Sequence, residues 1–488
     1  MTFRHNYCVQ YGAAVSKLFG RFECENSRFE CNTYGAVWLD VCETSWRDCV
    51  FTRNSDAGSS LPPHLSVPLC LWSSGGELVR LRFEGNGGRA SAGGVLHVGD
   101  TTVELVSCIF GDNEGQAGAV AASFHDSDNA GGVTRLTGCR ITGNRGTSIL
   151  SATNTTLELR ACTIAQNATT FGAVLVFPIL SSPPGGADLS NTILWDNSAM
   201  GTSREGAQLS GEPVRVNYCC VDGWTGVLGG FGNHGLDPRF ADPLGVDGAP
   251  GSGDEDHRLL AGSPCIDAGN SDLLPADALD LDGDGDVLEP LPLDFAGLAR
   301  TVDVASEPDT GRGAPPLVDM GCYEGQDCNA NGVADAQDIA DGASQDSDAD
   351  AIPDECECHA AERYCIAAPS SAGPGAEIAL RGTTSRAAND LVLVAAPVPD
   401  QPGIFFAGSS RLQVPFGDGY LCAGGAIVRL PVEVASGERL EHRVDFEDPT
   451  TALLTAGSTW NFQAWYRDPA AGGAGFNLSD ALELTVCP

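Results

Sequence analysis

The sequence predicts an all-β chain made of a solenoid of parallel strands, an acidic cation-binding linker and a smaller domain of short strands. Three observations predict it. Of 488 residues 61 are Gly and 28 Pro, with 7% aromatic, a composition full of turns and costly to helices. A side-chain pattern returns every 22 to 32 residues through the first 200, the period of one solenoid rung. After residue 366 the pattern changes to short alternating strands separated by Gly, Pro and Asp, as in a two-sheet all-β domain.

The repeat centres on asparagine. A large apolar residue stands three before an Asn in the pairs Phe3/Asn6, Phe29/Asn32, Phe51/Asn54, Phe83/Asn86, Phe110/Asn113, Ile141/Asn144, Ile164/Asn167 and Leu194/Asn197. Five before the Asn come Cys49, Leu81, Cys108, Cys139, Cys162 and Thr192, and eight before it Trp46, Leu78, Leu105, Leu136, Leu159 and Leu189. Spacing of two between the Cys and Phe/Ile columns implies one inward-facing strand per rung. Asn suits the corner because it tolerates the left-handed conformation and its amide can bond along a stack of like residues. Downstream, YGAVWL, AGGVLHV, AGAVAA and FGAVLVF predict a second strand with Val37, Val95, Val120 and Val174 in one inward row. His97 then falls on that row as a core histidine, and the Cys column reads as buried packing.

On these columns residues 1–200 resemble the right-handed parallel β-helix proteins of bacterial secretomes, the pectin-lyase-like solenoids. The stretches ADLSNTILWDNSA, NHGLDPRFADP, HRLLAGSPCIDAGN and LVDMGCYE are similar to the module that follows such helices, which assigns residues 201–325 to an extension and cap. The chain opens inside a rung, and MTFRHNYCVQYGAAV carries no export signal, so a signal and earlier rungs are expected upstream.

Residues 326–358 form the acidic segment, and 327–357 hold ten carboxylates without a Lys or Arg. Counting from Asp327 as position 1 places Asn329, Asn331, Gly332, Asp335 and Asp338 at 3, 5, 6, 9 and 12, with the Val333 carbonyl at 7. From Asp346, the same positions fall on Asp348, Asp350, Asp354 and Glu357, with Ile352 at 7 and Ala351 at 6. Hard oxygens at these intervals select calcium. The loops resemble those of dockerin domains and thrombospondin type 3 repeats. Their starts lie 19 residues apart, which leaves little room for a helix and predicts a rigid calcium-filled linker. A further stretch, LDLDGDGDVLEP, sets Asp280, Asp282, Asp284 and Asp286 at alternate positions; it reads either as a calcium loop or as a solvated turn.

Residues 366–488 predict a β-sandwich. GYLCAGGAIVRL, TWNFQAWYRD and FNLSDALEL look like a C-terminal domain recurring in large exported bacterial proteins. Trp460, Phe462, Trp465 and Tyr466 read mainly as core, with a sugar-binding platform as the other reading. Cys328 with Cys356, and Cys422 with Cys487, are candidate disulfides in an oxidising compartment.

Acidic residues outnumber basic ones 65 to 27, for a formal net charge of -38, which repels nucleic acid. No run of about 18 apolar residues is present to span a bilayer. The localisation expected is secreted or cell-surface. Two functions fit: a calcium-stabilised binder of polysaccharide or another extracellular surface without catalysis, or a polysaccharide lyase or glycoside hydrolase acting on acidic polysaccharide. No catalytic residue is assigned. His125, Asp126 and Asp128, in the extra-long turn SFHDSDNAGG, are a candidate ligand loop.

Overall fold

The computed structural model describes residues 1–7, 14–33, 35–55, 67–87, 94–115, 119–125, 132–153, 155–170, 173–177, 186–211, 214–304, 307–326, 333–344, 353, 361–381, 384, 386, 389, 391–446, 448–455 and 458–486. The chain divides into two compact units, residues 1–327 with 332–337 and residues 328–331 with 338–488.

In the first unit the asparagines form one continuous ladder. Each Nδ2 donates to the next Oδ1: Asn6 to Asn32 at 2.8 Å, Asn32 to Asn54 at 2.9 Å, Asn54 to Asn86 at 3.0 Å and Asn86 to Asn113 at 3.1 Å. The run continues from Asn113 to Asn144 at 2.8 Å and through Asn167 to Asn197, both at 2.9 Å, before Asn197 donates to Gln208 Oε1 at 2.7 Å. The same Oδ1 atoms accept the preceding Asn's peptide N–H, and from Asn32 onward the Nδ2 also reaches a carbonyl of the preceding rung, as Asn113 does to Phe83. Each amide is thereby saturated, which is what lets Asn32 through Asn167 lie at 0 to 1% exposure.

One part of the corner reading is corrected. The left-handed residue is the one before each Asn, namely His5, Cys31, Arg53, Gly85, Asp112, Gly143, Gln166 and Asp196. Asn stands in the column for its bonding amide, and its neighbour makes the bend.

Between the bends run short parallel strands in a nine-stranded sheet, from Thr2–Arg4 and Arg28–Glu30 to Ile193–Trp195 and Cys220–Val221. Phe29, Phe51, Phe83 and Phe110 pair in direct register, and their rings stack face to face with centroids 4.7 to 5.0 Å apart. The Cys column is buried as expected, and burial drives the Cys139 and Cys162 thiols well above the ordinary range. They act as small protonated hydrophobes.

A fourteen-stranded parallel set branches at the long strand Val37–Arg47, whose first half pairs Leu69–Trp72 and second half Gly75–Val79. The second arm keeps Trp46, Leu78, Leu105, Leu136, Leu159 and Leu189 in register, as the columns predict. In the first arm the predicted row is off by one. Val37 aligns with Leu69 and Leu96, and Leu39 with Leu71 and Val98. A slip of one residue reverses the face of a strand, so His97 lies beside Cys70 on the opposite face, stacked on Trp72 at 5.7 Å.

Residues 250–257 and 318–323 lie along the outside of the nine-stranded sheet. Arg140 Nη1 donates to Glu255 O and to Tyr323 Oη, Thr163 Oγ1 accepts from Cys322 N, and Asn191 exchanges hydrogen bonds with the backbone of Asn270. The approach is close enough that a Cβ on Gly143 would stand 2.1 Å from Pro250 O.

The second unit has a five-stranded antiparallel sheet, in the order Glu362–Tyr364, Phe476–Thr485, Thr459–Arg467, Pro402–Phe416 and Gly419–Val434. A three-stranded sheet, Glu377–Arg381, Val392–Ala396 and Leu440–Arg443, shares its core. Cys422 is bonded to Cys365, not to Cys487, which lies outside the described residues with Cys328 and Cys356. The bond links the Gly419–Val434 strand to the residue following Glu362–Tyr364, the two outer strands of the sheet. Among the described residues no helix is long and apolar enough to cross a membrane.

Two outcomes follow. Asn113→Ala strands donors and acceptors of both adjoining rungs and should cost about 3 kcal/mol in denaturant unfolding; Asn6→Ala, which breaks one partly exposed contact, should cost well under half as much. Peptide mapping without reductant should recover Cys365 linked to Cys422, and Cys365→Ala should lower the stability of the second unit by roughly 2–5 kcal/mol.

Candidate metal centre

Of the sequence-predicted ligands, Asp327, Asn329, Asn331, Asp346, Asp348, Asp350, Ile352, Asp354 and Glu357 lie outside the described residues, as do Asp126 and Asp128. Of the first loop, Val333, Asp335 and Asp338 are described. Asp335–Asp341 form a seven-residue helix where the spacing left little room for one, so positions 9 and 12 of the loop fall on helical backbone with both carboxylates buried. His125 ends the strand Ala119–His125.

The remaining predicted acidic stretch is fully described, and it is a closed loop. Ala276 and Pro290 form an antiparallel bridge, Asp277 N–H donates to Glu289 O at 2.8 Å, and Leu291 N–H to Pro275 O at 2.8 Å. Within it the carboxylates shape the backbone. Asp280 Oδ1 accepts from Gly285 N–H at 3.0 Å, Asp282 Oδ1 from Asp284 N–H at 3.2 Å, and Asp284 Oδ1 from Asp286 N–H at 2.7 Å. These turns bring ligand oxygens of Asp280, Asp282 and Asp284 within 4.8 Å of one another. Asp286 stands outside that group, its Oδ1 accepting from Leu288 N–H.

The neck adds two residues that the alternating count missed. Asp277, Asp282 and Glu289 also converge within 4.8 Å. Asp277 is 1% exposed; its Oδ2 accepts from Leu281 N–H, while its Oδ1 and Glu289 Oε1 are buried without a hydrogen-bond partner. Desolvation, followed by Asp284, Asp282, Asp286 and Asp277, holds the Glu289 carboxyl above its usual range. Buried oxygens lacking donors, beside further carboxylates, have the chemistry of a hard-cation site.

A second acidic group gathers Asp267, Asp303 and Asp309 within 4.8 Å. Asp267 is fully buried, and neither of its carboxylate oxygens has a hydrogen-bond partner. The Val304 N–H favours its charged form but falls short of a hydrogen bond. Burial and then the Asp319, Asp303 and Asp309 carboxylates push Asp267 up to about 7. Its neighbours are satisfied: Asp319 accepts from Asp267 N–H and Gly325 N–H at 2.7 Å each, and Glu324 accepts from Val302 and Asp319.

Beside the loop runs an outward row of charge. Glu77, Glu104, Arg135, Glu158, Asp188 and Arg215 are successive cross-strand neighbours. Arg135 reaches Glu158 at 2.8 Å and Glu104 at 3.9 Å, and Arg215 reaches Asp188 at 3.5 Å. Glu104 and Asp277 line one small cleft at the base of the loop.

In the second unit the four aromatic residues divide between two faces. Trp460, Phe462 and Tyr466 enter the core, whereas Trp465 lines an open apolar cleft of about 570 Å³ with Phe406, Leu421, Leu478 and Arg429.

Without cation, the ionised Asp267 opposes folding. Its folded pKa lies above the unfolded value near 4, so the native state holds the extra proton and stability falls as pH rises from about 4 to 7. In chelator, Asp267→Asn should flatten that fall in a pH series of unfolding midpoints. With millimolar calcium the wild type should gain stability near neutral pH, whereas Asp267→Asn and Asp277→Asn should each gain less. No protein-family model, curated protein or solved structure matches this chain.

Proposed function

We propose that the first unit is a right-handed parallel β-helix, the second a β-sandwich, and the whole a calcium-stabilised secreted or cell-surface protein that binds acidic polysaccharide without turning it over. The observation that carries this reading is the unpartnered, buried oxygen pair of Asp277 and Glu289 facing Asp282 at the neck of a closed acidic loop. A divalent cation there satisfies both oxygens and leaves the half-buried Asp280 and the exposed Asp284 free to take part from the open side of the loop.

Charge sets the mode of binding. A chain of net charge -38 repels an acidic polymer unless a divalent ion lies between them. Calcium held by a loop whose carboxylates do not fill its coordination shell accepts oxygens from a uronate. The charged row beside the loop offers Arg135 and Arg215, three strand spacings or roughly 14 Å apart, for the polymer's remaining carboxylates. Along this row Glu104, Glu158 and Asp188 each have an arginine within 4 Å, which favours a binding surface over a pair of carboxylates poised for acid and base work. On this reading the loops from Asp327 and Asp346 take calcium as well.

The experiment is co-sedimentation of the full chain with a uronic-acid polymer, with calcium and with chelator, alongside an elimination assay that reads new absorbance from unsaturated product. Calcium-dependent sedimentation with no absorbance is the expected result. Calcium-dependent absorbance would assign the alternative, a polysaccharide lyase, and sedimentation indifferent to calcium would remove the bridging ion.

A further inference from the structure

A separate group of side chains, with softer chemistry, lies at the junction of the last parallel strand and the segment that follows it. Cys220 lies on the strand Cys220–Val221, and His234 forms a parallel bridge with it, fixed by His234 N–H to Cys219 O at 3.1 Å and Val221 N–H to His234 O at 2.8 Å. Cys265 is set from a different part of the chain, its carbonyl accepting from Met320 N–H at 3.0 Å and its N–H donating to Ser263 Oγ at 3.2 Å. Both cysteines are fully buried, in a shell that includes Leu259, Ile266 and Met320. Their sulfurs and a ring nitrogen of His234 lie within 4.8 Å of one another. Nδ1 of His234 faces the Leu236 N–H at 3.4 Å, while Nε2 is buried without a hydrogen-bond partner.

We infer that Cys220, His234 and Cys265 form a three-donor site for a thiophilic closed-shell metal ion, Zn(II) or Cu(I). Two thiolates and an imidazole are the donors such ions select, and neither calcium nor magnesium competes for them. Binding releases the two thiol protons to buffer. The long contact from Leu236 N–H places the ring proton on Nε2 in the metal-free protein; on ligation it moves to Nδ1, and that contact is given up. An ion here ties the end of the nine-stranded sheet to the chain at Cys265, within the same compact unit.

The two ions are distinguished by titration of the full chain, reduced and freed of metal by chelator, with Zn(II) and separately with Cu(I) under anaerobic conditions, against a competing chromophoric chelator. Wild type should take up one more equivalent of one ion than Cys220→Ser or Cys265→Ser. His234→Gln, which alters a partly exposed side chain, should keep the fold by circular dichroism and weaken that equivalent at least tenfold. Cys139→Ser, in the buried thiol column, should leave it unchanged. Co(II) should give a thiolate charge-transfer band in wild type that His234→Gln shifts. Equal uptake by wild type and His234→Gln would overturn the site, as would a Cys220–Cys265 disulfide in protein isolated without reductant. Because calcium does not compete for these donors, failure here leaves the polysaccharide reading untouched, and the reverse also holds.

Discussion

The asparagine ladder is the interaction on which the remaining architecture depends. A rung must turn sharply on both sides of a three-residue strand, and its left-handed corners fall on residues as unsuited to that conformation as Arg53 and Gln166. Such bends persist only if something stronger holds the chain in place. The amides do so by linking each rung to the next through a side chain that also satisfies backbone groups on both sides. With the corner fixed, the phenylalanine column has a single register, and its rings stack at the strand spacing. The second arm, with its leucines in line, follows from the same alignment.

The first unit therefore has two kinds of interior. Between the sheets it is dry and apolar, with thiols treated as hydrocarbon. Along residues 265–325 it is polar and buried, containing Arg300 at 1% exposure against Glu324, with Asp319 and Asp294 nearby. Most of these groups find partners; Asp267 and the neck of the 277–289 loop do not. A protein tolerates ionisable groups in such places when an ion completes them.

The ladder was legible because its residue is polar, periodic and placed where a core would otherwise exclude it. The second row was not, because Ala36 and Val37, Val95 and Leu96, and Val174 and Leu175 are apolar pairs, both members buried, and alternation cannot choose between two apolar neighbours. In the acidic loop the alternating aspartates could be counted. Asp277 and Glu289 could not be assigned to it, since a bridge at Ala276 and Pro290 brings them together. Cys365 was likewise hidden: its pairing depends on the order of strands in a sheet that chain order does not reveal. The convergence of Cys220, His234 and Cys265 joins residues up to 45 apart in sequence, beyond any local spacing rule.

The segment lying along the nine-stranded sheet changes how the stack comes apart. Rungs that touch only their neighbours unfold almost independently, fraying from the ends. Here separate stretches of the following chain, at Glu255, Asn270 and Cys322–Tyr323, hold Arg140, Thr163 and Asn191, which belong to successive rungs, and Pro250 lies against Gly143. Peeling one of these rungs away must first strip that splint, so the later part of the stack, from the sixth to the eighth strand of the sheet, is converted from a series of separate steps into a single cooperative block.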